Sequence, residues 1–109
     1  MAGKRPPSRA RTARRELARA EEKLRIQRER LFQLEPGGTP ERPIEVETVA
    51  VIEVKAASLA CPACGGRVRV QSHEAPTIRG VRLREVRVRC TACGRERSLW
   101  FRLVPKALH

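Results

Sequence analysis

The chain lacks much of what a self-sufficient globular core requires. Only three of its 109 residues are aromatic: Phe32, Trp100 and Phe101. Its longest apolar run, Val49-Ala50-Val51-Ile52, is four residues, far short of the roughly 18 that a membrane-crossing helix needs. No membrane partner is therefore expected. The opening residues, Met1-Ala2-Gly3-Lys4-Arg5-Pro6-Pro7, lead into no apolar stretch of the kind a secretory signal carries. No Ser/His/Asp grouping, paired carboxylate or Gly-rich phosphate loop appears, which excludes the common catalytic designs and leaves no small-molecule substrate to expect. The expectation is a cytoplasmic protein that is not an enzyme. Below about 70–80 residues a hydrophobic core alone rarely holds a fold, and the part after Pro43 is shorter than that, so it needs a staple.

The staple is visible in the cysteines. All four fall in two pairs, Cys61-Pro62-Ala63-Cys64-Gly65-Gly66 and Cys90-Thr91-Ala92-Cys93-Gly94, separated by 25 residues. Two residues between ligands let a tight turn aim both sulfurs at one ion, so two such pairs close a tetrahedral thiolate site. The glycine after each second cysteine suits a turn that needs a positive φ and a close approach of backbone N–H groups to sulfur. Cys61, Cys64, Cys90 and Cys93 thus read as one structural Zn²⁺ site. Two disulfides would require an oxidising compartment, and a dithiol redox centre normally sits as a single pair between a strand and a helix. Iron fits the same four thiolates, so spacing leaves zinc and iron both open. With four cysteines filling the tetrahedron, His73 and His109 are not needed as ligands and are expected in solvent.

At these motifs the chain resembles the zinc-ribbon group, whose knuckles read C-P-x-C-G and C-x-x-C-G and are carried on short β-hairpins. The resemblance spans about residues 58–104 and implies a fold rather than a function, because ribbons serve unrelated tasks. The spacing is similar to that of the ribbon in transcript-cleavage factors acting on RNA polymerase, which depend on an adjacent acidic pair between the knuckles. Here the segment from Ser72 to Gly80 holds a single carboxylate, Glu74, so that activity is not carried over.

Charge is uneven along the chain. Residues 1–34 hold 11 basic and 4 acidic residues, residues 35–60 hold 2 and 5, and residues 61–109 hold 11 and 3, within a net charge of +12. Two basic ends flank an acidic middle, which concentrates the positive field. Twenty of the 24 basic residues are Arg, the side chain suited to bidentate phosphate contact.

The expected organisation is α+β: a disordered basic arm (1–11), a single long amphipathic helix (12–35), a Pro/Gly linker (36–43) and a small antiparallel β zinc ribbon (44–109). Leu17, Leu24 and Leu31 recur every seven residues, with Ala20, Gln27 and Leu34 three residues on. The seam Leu17/Leu24/Leu31/Leu34 suits docking on the chain's own ribbon, self-association or a protein partner. The alternation Ile44/Val46/Thr48/Ala50/Ile52/Val54 predicts one long strand. Further strands are expected over 67–71, 81–89 and 98–104, with a bulge at Glu85 where the apolar phase breaks.

Arginines alternate with apolar residues along these strands. Arg67, Arg69, Arg82, Arg84, Arg87, Arg89 and Arg102 then form a cationic face for nucleic acid, DNA or RNA, with little sequence preference. Trp100 lies out of phase with Leu99, Phe101 and Leu103, so it is expected on the arginine face to stack on a base, or else to receive the leucine stripe. The competing reading is a protein–protein adaptor, in which the helix binds a partner and the ribbon is only a scaffold. An ordinary solvated face, its arginines partly paired with Glu45, Glu47 and Glu53, is the plainer account of the same pattern.

Overall fold

A computed structural model describes residues 9–105. Good helix formers run unbroken into α1, Arg9–Gln33. The arm expected over 1–11 lies outside the described residues up to Ser8, and Arg9, Ala10 and Arg11 already belong to α1. Pro36-Gly37-Gly38 ends the helix by close approach: a Cβ on Gly38 would lie 2.3 Å from the Phe32 carbonyl oxygen. The segment that follows is a folded turn. Gly37, at φ +90, donates its N–H to the Arg42 carbonyl (2.6 Å) and accepts from the Trp100 N–H (2.9 Å).

Strands β1 (Ile44–Val46), β2 (Val68–Glu74), β5 (Arg84–Cys90) and β6 (Glu96–Leu103) form one sheet in the order β1-β6-β5-β2. The β2, β5 and β6 pairings are antiparallel, whereas β1 joins β6 in parallel, Ile44 opposite Phe101. The sheet is thus mixed at one edge. Strands β3 (Thr77–Ile78) and β4 (Val81–Arg82) form a separate hairpin tip, turned by Arg79 and Gly80, both at positive φ.

The long strand expected over 44–55 is corrected. Only Ile44–Val46 is strand; Val49–Val51 is a 3-10 turn and Ile52–Ser58 is a helix, α2. Ile52 and Ala56 are four residues apart, which places them on one face in a strand and in a helix alike. As a helix they lie fully buried against the sheet's inner face, while Val54 projects outward at 72% exposure. The core is Val46, Ile52, Ala56, Val68, Val86, Val88, Leu99 and Phe101, closed at one end by Cys61, Ala63 and Cys90. A sheet with one apolar face must be covered, and α2 is the cover.

The expected bulge at Glu85 is also displaced. The phase break is at Leu83, between β4 and β5, and the register shift lies on the partner strand between Val70 and Ser72. Leu83 is buried beside the turn, sharing a small cavity of about 190 Å³ with Pro40 and Pro43.

Candidate metal centre and its cationic rim

Each knuckle is shaped by its own backbone. Gly65 and Gly94 sit at φ +78 and +77, and their N–H groups reach back to the carbonyls of Cys61 (2.7 Å) and Cys90 (3.0 Å). Gly66 serves differently: a Cβ there would come within 2.8 Å of the Ala92 Cβ and 2.9 Å of the Cys90 Sγ. The two knuckles are tied together by Thr91, whose N–H and Oγ1 both donate to the Arg67 carbonyl at 2.8 and 3.0 Å.

The four sulfurs of Cys61, Cys64, Cys90 and Cys93 all lie within 4.8 Å of one another, with Cys61–Cys93 at 3.8 Å and Cys64–Cys90 at 3.4 Å. A tetrahedron with metal–sulfur bonds of about 2.3 Å has edges of about 3.8 Å, so the cluster has the dimensions to bind a metal ion. Backbone N–H groups of Ala92 and Cys93 approach the Cys90 sulfur, and that of Gly66 the Cys64 sulfur, each at 3.4 Å. The Cys93 N–H, foremost among these donors, lowers the Cys90 thiol to about 6. Burial, joined by the neighbouring sulfurs, raises the Cys93 thiol to about 11. Burial pushes the Cys61 thiol up, but backbone N–H groups and the Arg97 guanidinium outweigh it, so its net shift is downward.

Arg97 is the site residue that strand alternation did not single out. It lies on the inner face of β6 at 8% exposure, donates from Nη2 to the Cys61 Sγ at 3.2 Å and forms an ion pair with Glu29 of α1. Its apolar setting is visible only once β6 is placed beneath α1. The sole sequence signal is its phase, which it shares with Leu99 and Phe101.

The expected arginine face is divided. Arg102 pairs with Glu45 at 2.6 Å. Arg87 lies 3.7 Å from Glu96 and donates to Ser98, which in turn donates to Glu85. Arg84 is not on this face: it shares the inner phase with Val86 and lies opposite Phe101, its Nε buried without a partner among the described residues. Arg82 is exposed on the separate hairpin tip. Arg67, Arg69 and Arg89 stay together, exposed beside the knuckles, and Arg69 stands directly opposite Arg89. Two shallow grooves of about 610 and 730 Å³ flank the knuckles and share Arg69 and Thr91, one adding Arg67 and the other Arg89.

Trp100 lies on the outer face opposite Glu85 and is half-buried. It does not receive the leucine stripe, because Leu17, Leu24, Leu31 and Leu34 are 50–65% exposed. The stripe therefore does not pack on the chain's own β domain. His73 is not a solvent residue: it faces inward on β2, its Nδ1 3.9 Å from Glu53. His109 lies outside the described residues. Among the described residues no helix is long and apolar enough to cross a membrane. A comparison with protein-family models, with curated proteins and with solved structures finds no match for this chain.

Proposed function

We propose that this chain is a non-catalytic zinc-ribbon protein, working in the cytoplasm, that binds the phosphate backbone of nucleic acid at the metal end of its sheet. Zn²⁺ held by Cys61, Cys64, Cys90 and Cys93 would supply folding energy to a domain with a small core, and four thiolates leave the ion no open position for chemistry. A reducing compartment keeps those thiolates available to it.

One observation carries the nucleic-acid reading. Arg69 and Arg89 stand directly opposite each other, and neither makes an ion pair with a carboxylate among the described residues. Like charges placed directly opposite destabilise a sheet. An anion lying across them turns that cost into affinity, and Arg67 extends the patch. Arg87 and Arg102 already have carboxylate partners and are expected to contribute less.

The test is affinity for generic single- and double-stranded nucleic acid as a function of salt. On duplex DNA, Arg69→Ala with Arg89→Ala should lower the salt slope by about two, near 0.9 for each lost phosphate contact, with no change in sequence preference. Arg87→Ala with Arg102→Ala should change it less. Equal effects from the two pairs, or no binding by the parent protein at low salt, would remove this reading.

The adaptor reading is favoured by a separate observation, the exposed leucines of α1. On that reading Leu24→Glu should abolish association with a protein partner, or with a second copy, while leaving the melting temperature of the monomer unchanged. The expected stability change at so exposed a site is within about 0.5 kcal/mol.

A further inference from the structure

Between Glu22 and Phe32, each polar contact of α1 with the β domain lands on a knuckle or on the residues beside one. Arg95, just past the second knuckle, donates to Glu22 at 2.5 Å. Arg28 donates to the carbonyl of Ala63, inside the first knuckle, at 3.4 Å. Glu29 accepts from Arg97, which also donates to the Cys61 sulfur and lies 5.9 Å over the Phe32 ring. The helix is seated on the two knuckles that carry the four cysteines.

Arg97 is the joint between the two. Its guanidinium is buried, and its compensation comes from a carboxylate on the helix and a sulfur in the metal cluster, with Nη1 left without a partner among the described residues. A buried charge that loses one of its partners is strongly destabilising. Undocking the helix therefore disturbs the cation that orients Cys61, and losing the knuckle geometry disturbs the cation that holds Glu29. Two sites that share one buried charge are coupled, and binding free energy makes that coupling reciprocal.

We propose that Arg97 is a positioning residue that couples metal occupancy to the docking of α1: it orients the Cys61 sulfur for the ion and holds Glu29, and with it the helix, against the knuckles. This rests on the metal reading above. Removal of the ion releases α1 from about Glu22 onward and uncovers Phe32 beside the exposed leucine stripe. The surface that α1 offers to other molecules then depends on metal.

The test uses the full chain with Co²⁺, followed through thiolate-to-cobalt absorption, and amide hydrogen exchange over residues 22–33 with and without a chelator. Arg97→Met should weaken Co²⁺ binding by about 10–100-fold, the usual effect of removing a ligand's hydrogen-bond partner, and should shift the absorption band. Arg97→Lys should restore part of the affinity. Glu29→Gln touches no cysteine yet should weaken binding by about fivefold or more, at the low end of ordinary coupling. The Glu29→Gln/Arg97→Met double variant should be no weaker than Arg97→Met alone. In the parent protein, chelation should speed exchange across residues 22–33. Wild-type Co²⁺ affinity in Glu29→Gln, or exchange there that ignores a bound ion, would overturn the coupling. Absence of any cobalt absorption in the parent protein would overturn the metal reading itself.

Discussion

Replacing Gly66 with alanine tests how tightly the knuckles are packed around the sulfurs. The new Cβ would lie 2.9 Å from the Cys90 Sγ, 3.3 Å from the Cys64 Sγ and 2.8 Å from the Ala92 Cβ. Restoring an ordinary contact of 3.4 Å to Cys90 requires its sulfur to withdraw by about 0.5 Å. A metal site tolerates distance errors of about 0.2 Å, so a sulfur holding the proposed ion cannot move that far and keep its bond. Overpacking of this kind costs about 1–3 kcal/mol, and each 1.4 kcal/mol is a factor of ten in affinity. Gly66→Ala should therefore bind zinc about 10–100-fold more weakly in competition with a chromophoric chelator, and its Co²⁺ form should show a distorted spectrum. Gly65→Ala is the matched control. Its Cβ meets nothing within 4 Å but sits at φ +78, so it should lose about 1–2 kcal/mol to backbone strain with the cobalt spectrum unchanged. A Gly66→Ala protein with parental affinity and spectrum would refute the reasoning.

Two further outcomes separate the observed fold from its rivals. Ile52→Ala should destabilise by about 2–5 kcal/mol as a core truncation, whereas Val54→Ala, at a side chain 72% exposed, should stay within about 0.5 kcal/mol; denaturant titration showing equal losses would restore the long strand over 44–55. Chelation should lower the melting temperature of the β domain, and added zinc should raise stability by about 2.7 kcal/mol at a hundredfold excess over Kd; calorimetry giving the same transition with and without ion would rule out a structural metal.

The local signals in the chain settled what depends on neighbours a few residues apart. Cys-x-x-Cys pairs followed by glycine specify their own turn, because two intervening residues and one positive φ complete the knuckle without help from elsewhere. The helix formers from Thr12 to Gln33 and the stop at Pro36-Gly37-Gly38 are equally local, as is the two-residue alternation that buries Val86, Val88, Leu99 and Phe101. Other features were decided by what lay across space. Ile52 and Ala56 satisfy a strand and a helix alike, and the uncovered inner face of the sheet selected the helix. The arginines look equivalent along the strands, but Glu45 and Glu96 reach Arg102 and Arg87 only through the folded sheet, which leaves Arg69 and Arg89 without such partners among the described residues. Arg97 is marked in its own segment only by its phase with Leu99 and Phe101: its partners are Glu29, 68 residues away, and Cys61, 36 residues away. A buried ion pair is a property of the packing that removes water from it, and no local pattern records which distant carboxylate will arrive.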